Sequence, residues 1–359
     1  MKIGIVTYYR SQNYGAQLQT FALQTFLKKN GYDAKVSRYW PDYHDLIYKQ
    51  VFFDKRIFSS KTFFKKIKYL VKAAVLSLLF KKRSNEAVVF SEKKLDLSAE
   101  NIYDVAIYGS DQIWRKQHKP GCESYNPVYF GVGEIISKNK ISYAASMGKI
   151  EIAGSDDMQF LEATLRMFSS ISVREMDLQS LLVEQIGLKV ERVCDPVFLL
   201  SADEWNAIFC LKKNKKTKYI LLYNLHSIPE VDKIASELAS EKGYKILKYY
   251  WTVIDMPKDC DDRITDGPIS FLVALYNAEY VVTSSFHGVA FSIIFGKPFY
   301  YSSKPSLSNR VTSLLEDLKI KTTNMISTSY SDDTIAALGR FRARSVKWLI
   351  STLQECDNQ

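Results

Sequence analysis

The sequence predicts two doubly wound α/β domains that face one another across a cleft. Three observations carry this reading. Short β-branched and apolar runs alternate with helix-patterned segments along the chain, as expected for parallel sheets wrapped by helices. The alternation comes in two sets, separated by a charged, apolar-poor run at 212–218. A length of 359 residues with 47% apolar content is enough for two cores. The expected division is 1–200 for the N-terminal α/β domain, with a basic insert at about 49–90, then 201–335 for the C-terminal domain and 336–359 for a closing helix.

Residues 2–8 (KIGIVTY) read as the first strand and 10–14 as a polar loop. A helix follows at 16–29, with Leu18, Phe21, Ala22, Phe26 and Leu27 tending to one side and Gly31 as its stop. The second strand, 34–39, completes a βαβ unit. No GxGxxG is present. Asn13-Tyr14-Gly15-Ala16 stands in its place, so a dinucleotide site is not supported.

The net charge of +10 is concentrated in the insert. Residues 49–83 hold 11 basic residues and one acid, Asp54, whereas the rest of the chain balances at 38 of each sign. Apolar residues at 61–80 fall near helical spacing, with lysines on the other side. Two readings stand: a helix packed on the domain with solvated lysines, or a peripheral helix that meets anionic lipid. No nucleic-acid recognition module accompanies the patch, and no nucleic-acid partner is expected.

The strand at 104–108 runs into Gly109-Ser110-Asp111-Gln112-Ile113-Trp114. A glycine, a serine and an acid at a strand's carboxyl end make either a site or a simple turn capped by Asp111. A strand at 141–145 ends in Ser146-Met147-Gly148, and a helix follows at 158–168. The strand 170–174 hands over at Arg174-Glu175 to a helix reaching Leu182. The Arg174 fork suits a carboxylate or phosphate, or alternatively an ion pair with Asp177. The strand 189–194 closes at Asp195-Pro196. Ser201 to Glu204 has capping-box form, and the domain junction is placed between 196 and 218.

The second set comprises strand 219–223, helix 229–241, strand 244–249, helix 269–276 and strand 280–283. A polar turn at 284–288 leads to an apolar helix at 289–295, stopped by Gly296, and then a strand at 298–301. Helices at 310–318 and 332–353 close the chain.

Of the four histidines, His44, His118, His226 and His287, only His287 lies in such a strand-to-helix turn. That carboxyl edge is where open α/β sheets bind ligands, and a helix start attracts anions. His287 is therefore either a capping or core histidine, or a proton donor beside a bound anion. A helix N-terminus disfavours imidazolium, and a bound phosphate or carboxylate reverses that preference. The five cysteines, Cys122, Cys194, Cys210, Cys260 and Cys356, are far apart and contain no CxxC. They suggest neither a disulfide framework nor a zinc site, and favour a reducing cytoplasm. With no 18-residue apolar run and no apolar leader in MKIGIVTYYRSQNYG, no membrane span and no signal segment are expected.

Asn13-Tyr14-Gly15-Ala16 with Leu18-Gln19, the 108–114 segment YGSDQIW, Ser172-Val173-Arg174-Glu175, Cys194-Asp195-Pro196, and Ser284-Ser285-Phe286-His287-Gly288 with Gly296-Lys297-Pro298 together resemble polysaccharide pyruvyltransferases. The order and spacing of these motifs span nearly the whole chain. The resemblance implies a GT-B-like fold of two Rossmann-type domains and no metal or cofactor, with phosphoenolpyruvate as co-substrate. The implied reaction transfers pyruvate onto a sugar diol as a cyclic ketal in capsule or exopolysaccharide synthesis. The implied acceptor is a lipid-linked saccharide, such as galactose taking a 4,6-ketal.

The family histidine falls on His287, expected as general acid, and its donor-binding arginine on Arg174. Arg310 matches the basic residue after the GKP strand. Ser284, Ser285, Phe286, Gly288 and Lys304 complete the expected donor side. Some relatives carry arginine where this chain has Ser285, leaving Lys297, Lys304 or Arg310 to hold the donor. Asp111 is expected to orient or deprotonate a sugar hydroxyl, with Asn13, Tyr14, Gly15, Gln17, Ser110 and Ser146 on the acceptor side. The protein is then expected in the cytoplasm, peripheral at the inner face of the membrane through its basic insert. The competing readings are a GT-B glycosyltransferase using a nucleotide sugar and a non-enzymatic, membrane-docked binding protein. The oligomeric state is open.

Overall fold

Strands that are apolar on both faces must be covered on both, and the chain satisfies this with two all-parallel sheets. A computed structural model describes residues 1–44, 62–118, 122–213, 217–225, 228–250, 262–263, 267–302, 305–320 and 330–358. The first sheet contains β1 (Lys2–Val6), β2 (Asp33–Ser37), β3 (Leu97–Ser98), β4 (Ile102–Tyr108), β5 (Ile136–Ala145), β6 (Ser170–Val173) and β7 (Val190–Arg192). Its order is β3-β2-β1-β4-β5-β6-β7. The second contains β8 (Tyr219–Asn224), β9 (Lys245–Tyr250), β10 (Asp262–Arg263), β11 (Tyr280–Thr283) and β12 (Phe299–Tyr301) in the order β10-β9-β8-β11-β12. Each order reverses beside its first strand, so each sheet has a switch point where connections leave in opposite directions.

Two helices begin at the first sheet's left half. α1 (Tyr14–Lys29) is capped by Asn13, whose side chain accepts from the Gly15 N–H at 3.1 Å. α2 (Phe63–Lys94) is longer than its apolar pattern suggested, continuing beyond residue 80 through Ala87, Phe90 and Ser91, which pack inward. Next come α3 (Ser155–Leu165), α4 (Met176–Glu184) and α5 (Ala202–Phe209), the last with both bonds of the expected Ser201–Glu204 capping box. The second sheet carries α6 (Pro229–Lys242), α7 (Pro268–Asn277), α8 (Phe286–Ile294) and α9 (Pro305–Asp317).

The final helix, α10 (Asp332–Asp357), returns to the first sheet. Ser345 Oγ accepts from the Cys194 N–H at 2.8 Å, Arg342 donates to the Leu199 carbonyl at 2.8 Å, and Trp348 lies against Tyr143. One apolar cluster runs from Ile3 and Leu18 through Trp205 to Phe271, Phe291 and Phe299, so both sheets share it. This is a GT-B-like architecture: two doubly wound parallel sheets, with the last helix crossing back.

Candidate active site

The residues beyond the carboxyl ends of both sheets meet. From the first sheet come Asn13 to Gly15 after β1, Ser110 to Gln112 after β4, Ser146 after β5, Arg174 and Glu175 after β6, and Asp195 after β7. From the second comes the start of α8 after β11. The helix begins three residues earlier than its apolar run implied. Ser285 is its N-cap, so Phe286, His287 and Gly288 form its first turn. Gly288 is needed there because a Cβ would lie 2.4 Å from Thr283 Oγ1, and without one α8 can sit on the end of β11.

His287 is 2% exposed. Its ring lies against Gly15 at the start of α1, where a Cβ would come within 2.1 Å of the imidazole. Its Nε2 is 3.8 Å from Asp195 Oδ2, too far for a hydrogen bond, and has no partner. Burial pushes the imidazole pKa down to about 4; Asp195 pulls it up and Arg174 pushes it further down.

Arg174 is also buried, and its partners are Asp195 and Glu175 rather than Asp177, which instead accepts from Asn309 at 2.8 Å. Nη1 donates to Asp195 Oδ2 at 2.5 Å and Nε to Glu175 Oε1 at 3.2 Å, while Nη2 has no partner. The guanidinium stacks 4.4 Å from the Phe286 ring centroid, which ties the first sheet to α8. Burial opposes its charge, but Glu175 and Asp195 more than offset this, and its pKa is raised. Burial pushes the Glu175 carboxyl up, against the pull of Arg174.

Arg310 reaches the same place from α9. With the Gln112 amide oxygen turned toward it, Arg310 donates at 2.7 and 3.0 Å. Burial and the nearby charge of Arg174 lower its pKa. Arg174 thus has its charge held by Glu175 and Asp195, whereas Arg310 carries its charge against burial and the repulsion of Arg174. An incoming anion would relieve both penalties on Arg310.

The remaining expected residues divide by what they touch. Asp111, buried and with φ 64°, exerts its charge on Arg174, Arg310 and His287 while accepting from the Gln112 N–H at 2.8 Å. Ser110 donates to Asp195 Oδ2 at 3.1 Å and Ser146 to Glu175 Oε1 at 2.6 Å, so both orient the acids that hold Arg174. Ser284 donates to Asn224 Oδ1 at 3.0 Å and serves the turn. Asn13 serves as the α1 cap.

Two acceptor-side expectations are corrected. Gln17 donates to the Ala87 carbonyl at 2.6 Å and to Ser91 at 3.2 Å, which commits it to the α1–α2 contact. Tyr14 is packed against Tyr223, Tyr249 and Phe271, with Arg83 4.7 Å above its ring. Arg83, counted in the basic stretch, is therefore an interior cation at 5% exposure. Lys297 does not join the site either, since it donates to the Ala278 carbonyl at 2.9 Å beside Tyr276. Lys304 and His226 lie outside the described residues.

Asp195 and Glu175 belong to the sequence motifs, but sequence reasoning assigns them no role. The available signal is their position at strand ends beside Arg174. Among the described residues, no three His, Cys, Asp or Glu side chains are grouped as a metal would require. A cavity of about 720 Å³ lies elsewhere, against Tyr39, Trp40, Tyr43 and Asn126.

The sequence pattern of the polysaccharide pyruvyl transferase family matches residues 13–303, a span that includes Gly15, Asp111, Arg174, Asp195 and His287. The chain belongs to this family. No curated protein sequence matches it. Among solved structures, it is similar to the UDP-N-acetylglucosamine 2-epimerase of Rickettsia bellii, at 9% identity and TM-score 0.49, covering 99% of this chain and 96% of that one. The UDP-GlcNAc 2-epimerase of Methanocaldococcus jannaschii gives 13% identity and TM-score 0.45, with 98% and 100% coverage. The spinosyn rhamnosyltransferase SpnG complexed with thymidine diphosphate gives 12% and 0.41, with 97% and 95% coverage. As a family member, the chain is a pyruvyl transferase of polysaccharide biosynthesis, and its family span contains the whole constellation around His287 except Arg310.

Proposed function

We propose that the protein transfers the pyruvyl group of phosphoenolpyruvate to a sugar diol as a cyclic ketal, with phosphate released. The observation that carries this reading is the convergence of Arg174, Arg310 and a neutral His287, all buried, with unpartnered polar atoms on Arg174 and His287. A carboxylate and a phosphate on one three-carbon donor match two guanidinium groups beside a helix start.

In the proposed reaction, Arg174 and Arg310 hold the two anionic groups. His287, protonated once the donor's charge is present, gives its proton to the methylene carbon C3. One sugar hydroxyl adds to C2, and the bond from C2 to the phosphate oxygen breaks with its electron pair leaving on phosphate. The second hydroxyl then adds to C2. Of the two hydroxyl protons released, one restores His287 and the other leaves on phosphate, with Asp111 relaying the first. No external base or cofactor enters the balance. A lipid-linked saccharide of capsule or exopolysaccharide synthesis, such as one bearing galactose, is the proposed acceptor.

The nucleotide-sugar alternative is disfavoured by Tyr14, Tyr223, Tyr249 and Phe271, which pack together at the carboxyl edge of β8 and β9. The test incubates the protein with phosphoenolpyruvate and candidate saccharides, free and lipid-linked. The expected result is a gain of one pyruvylidene group on the saccharide with one phosphate released. Thermal stabilisation by nucleotide sugars but not by phosphoenolpyruvate would overturn the reading.

A further inference from the structure

α2 changes character along its length. Its second half is an interior element: Arg83, Ala87, Phe90 and Ser91 are buried, Ser91 Oγ donates to the Tyr9 carbonyl at 3.0 Å, and Phe90 packs on Phe21 of α1. Its first half is the reverse. Phe63 is 71% exposed, Phe64 79%, Leu70 50%, Val71 56% and Leu78 67%, and Ile67 and Val75 are exposed as well. Half of the exposed large apolar residues among the described ones lie on this single helix.

They also lie together. At 3.6 residues per turn, positions 63, 64, 67, 70, 71, 74, 75 and 78 fall within an arc of about 140°. Ala73, buried against the protein, points well away from that arc. The apolar stripe is thus turned outward. Scattered exposed apolar residues need no account, but a continuous stripe on a helix does.

The stripe is charged in one sense only. Residues 63–85 contain six lysines and one arginine and no acid, and Lys66, Lys68 and Lys81 are exposed. Pairing with a second copy of α2 would bring like charges together. An anionic bilayer offers the opposite charge at its surface and an apolar layer just beneath it. No described helix is long and apolar enough to cross a membrane.

We propose that the first half of α2 lies in the interface of an anionic lipid bilayer, with Phe63, Phe64, Ile67, Leu70, Val71, Val75 and Leu78 below the headgroups and the lysines among them. The inference does not rest on the proposed reaction. It does bear on it, because the same helix packs Arg83 on Tyr14 and donates to the Gln12 carbonyl at 3.3 Å, beside the start of α1. At 1.5 Å per residue, Phe63 and Arg83 are about 30 Å apart along the helix. Docking would hold the cleft at a set place near the bilayer.

The test is co-sedimentation of the full-length protein with phosphatidylcholine vesicles, with and without phosphatidylglycerol. Binding is expected only with the anionic lipid and should weaken as salt rises. The triple variant Phe64→Glu, Leu70→Glu, Leu78→Glu should bind on the order of a hundredfold more weakly. Each of Lys66→Gln and Lys68→Gln should cost about fivefold. Both sets should leave the melting temperature unchanged, since they alter exposed positions. The Phe64→Trp variant should show blue-shifted emission on anionic vesicles. The proposal falls if the parent protein stays in the supernatant, if the triple variant still sediments, if the emission of the Phe64→Trp variant does not move, or if the parent is a dimer that the triple variant dissociates.

Discussion

A single added methyl group at Gly15 tests whether the closed junction around His287 is the working arrangement. A Cβ there would sit 2.1 Å from both Cγ and Nδ1 of the imidazole, where carbon contacts settle at about 3.5–4.0 Å. Gly15→Ala therefore requires the ring, or the start of α1, to move by about 1.5 Å. A displacement of about 1 Å in a reacting group costs on the order of 100-fold in turnover. The effect on stability is smaller. The overlap costs about 1–3 kcal/mol, offset by about 0.5–1 kcal/mol because alanine favours the helix that Gly15 begins. The expected outcome is a kcat reduced about 100-fold, read as phosphate release from phosphoenolpyruvate with an accepted saccharide, and a melting temperature only slightly lowered. The imidazole nitrogen shifts of His287, assigned by their loss in His287→Gln, should move as well. Turnover equal to the parent's would refute the reasoning, because chemistry would then be proceeding with His287 and Gly15 apart.

Three further outcomes follow from the same geometry. His287 should make the fold acid-sensitive: with its pKa lowered from 6.5 to about 4, the unfolded chain binds the extra proton first, so stability falls as pH drops from about 6.5 to 4, by about 3 kcal/mol in all. Urea midpoints across that range should show this slope in the parent and lose it in His287→Gln. Arg174→Ala leaves Asp195 and Glu175 buried without their cation and should cost about 3–5 kcal/mol of stability, whereas Arg310→Ala relieves repulsion and should change stability little while abolishing thermal stabilisation by phosphoenolpyruvate. Trp205 is fully buried against Phe21 of α1, Phe209 of α5 and Phe291 of α8; Trp205→Ala should cost about 3–5 kcal/mol in denaturant unfolding, felt by both sheets.

The sheets were legible because buried parallel strands are written as β-branched apolar runs, as in YVVT of β11 and IYDVAIY of β4. The two-residue strands β3 and β10 carry no periodic signal and were not anticipated. The second half of α2 was missed because its sequence mixes Asn85, Glu86 and Ser91 with Ala87 and Phe90, which conceals the packed side. At the site, His287 and Arg174 stand out as candidates by position, each at a strand's carboxyl end, while their expected roles come from the family resemblance. Their acids do not stand out, because Asp195 approaches Arg174 only through the pairing of β6 with β7. Adjacency in sequence misled at Gln17: two residues beyond Gly15 a helix has turned by about 200°, so its amide faces α2.

The electrostatics of the junction bear on how a histidine with a pKa near 4 can act as an acid at neutral pH. Burial and the charge of Arg174 keep the ring neutral, and Arg310 adds to that effect. Both guanidinium groups are the ones proposed to receive the donor. When its carboxylate and phosphate settle on them, the positive field at the ring is cancelled and replaced by a negative one, and the imidazole's proton affinity rises. Asp195, 3.8 Å from Nε2 and bonded to Arg174, is placed to stabilise imidazolium once Arg174 is shared with the donor. In the proposed reaction, the proton would thus be loaded by the substrate and not held in reserve. If the proposed reaction holds, Ser110 and Ser146 would act through the acids they bond, Asp195 and Glu175. By fixing Asp195 and Glu175 they would set how much of Arg174's charge the ring feels, and removing either hydroxyl should then shift the pH dependence of turnover more than the affinity for donor.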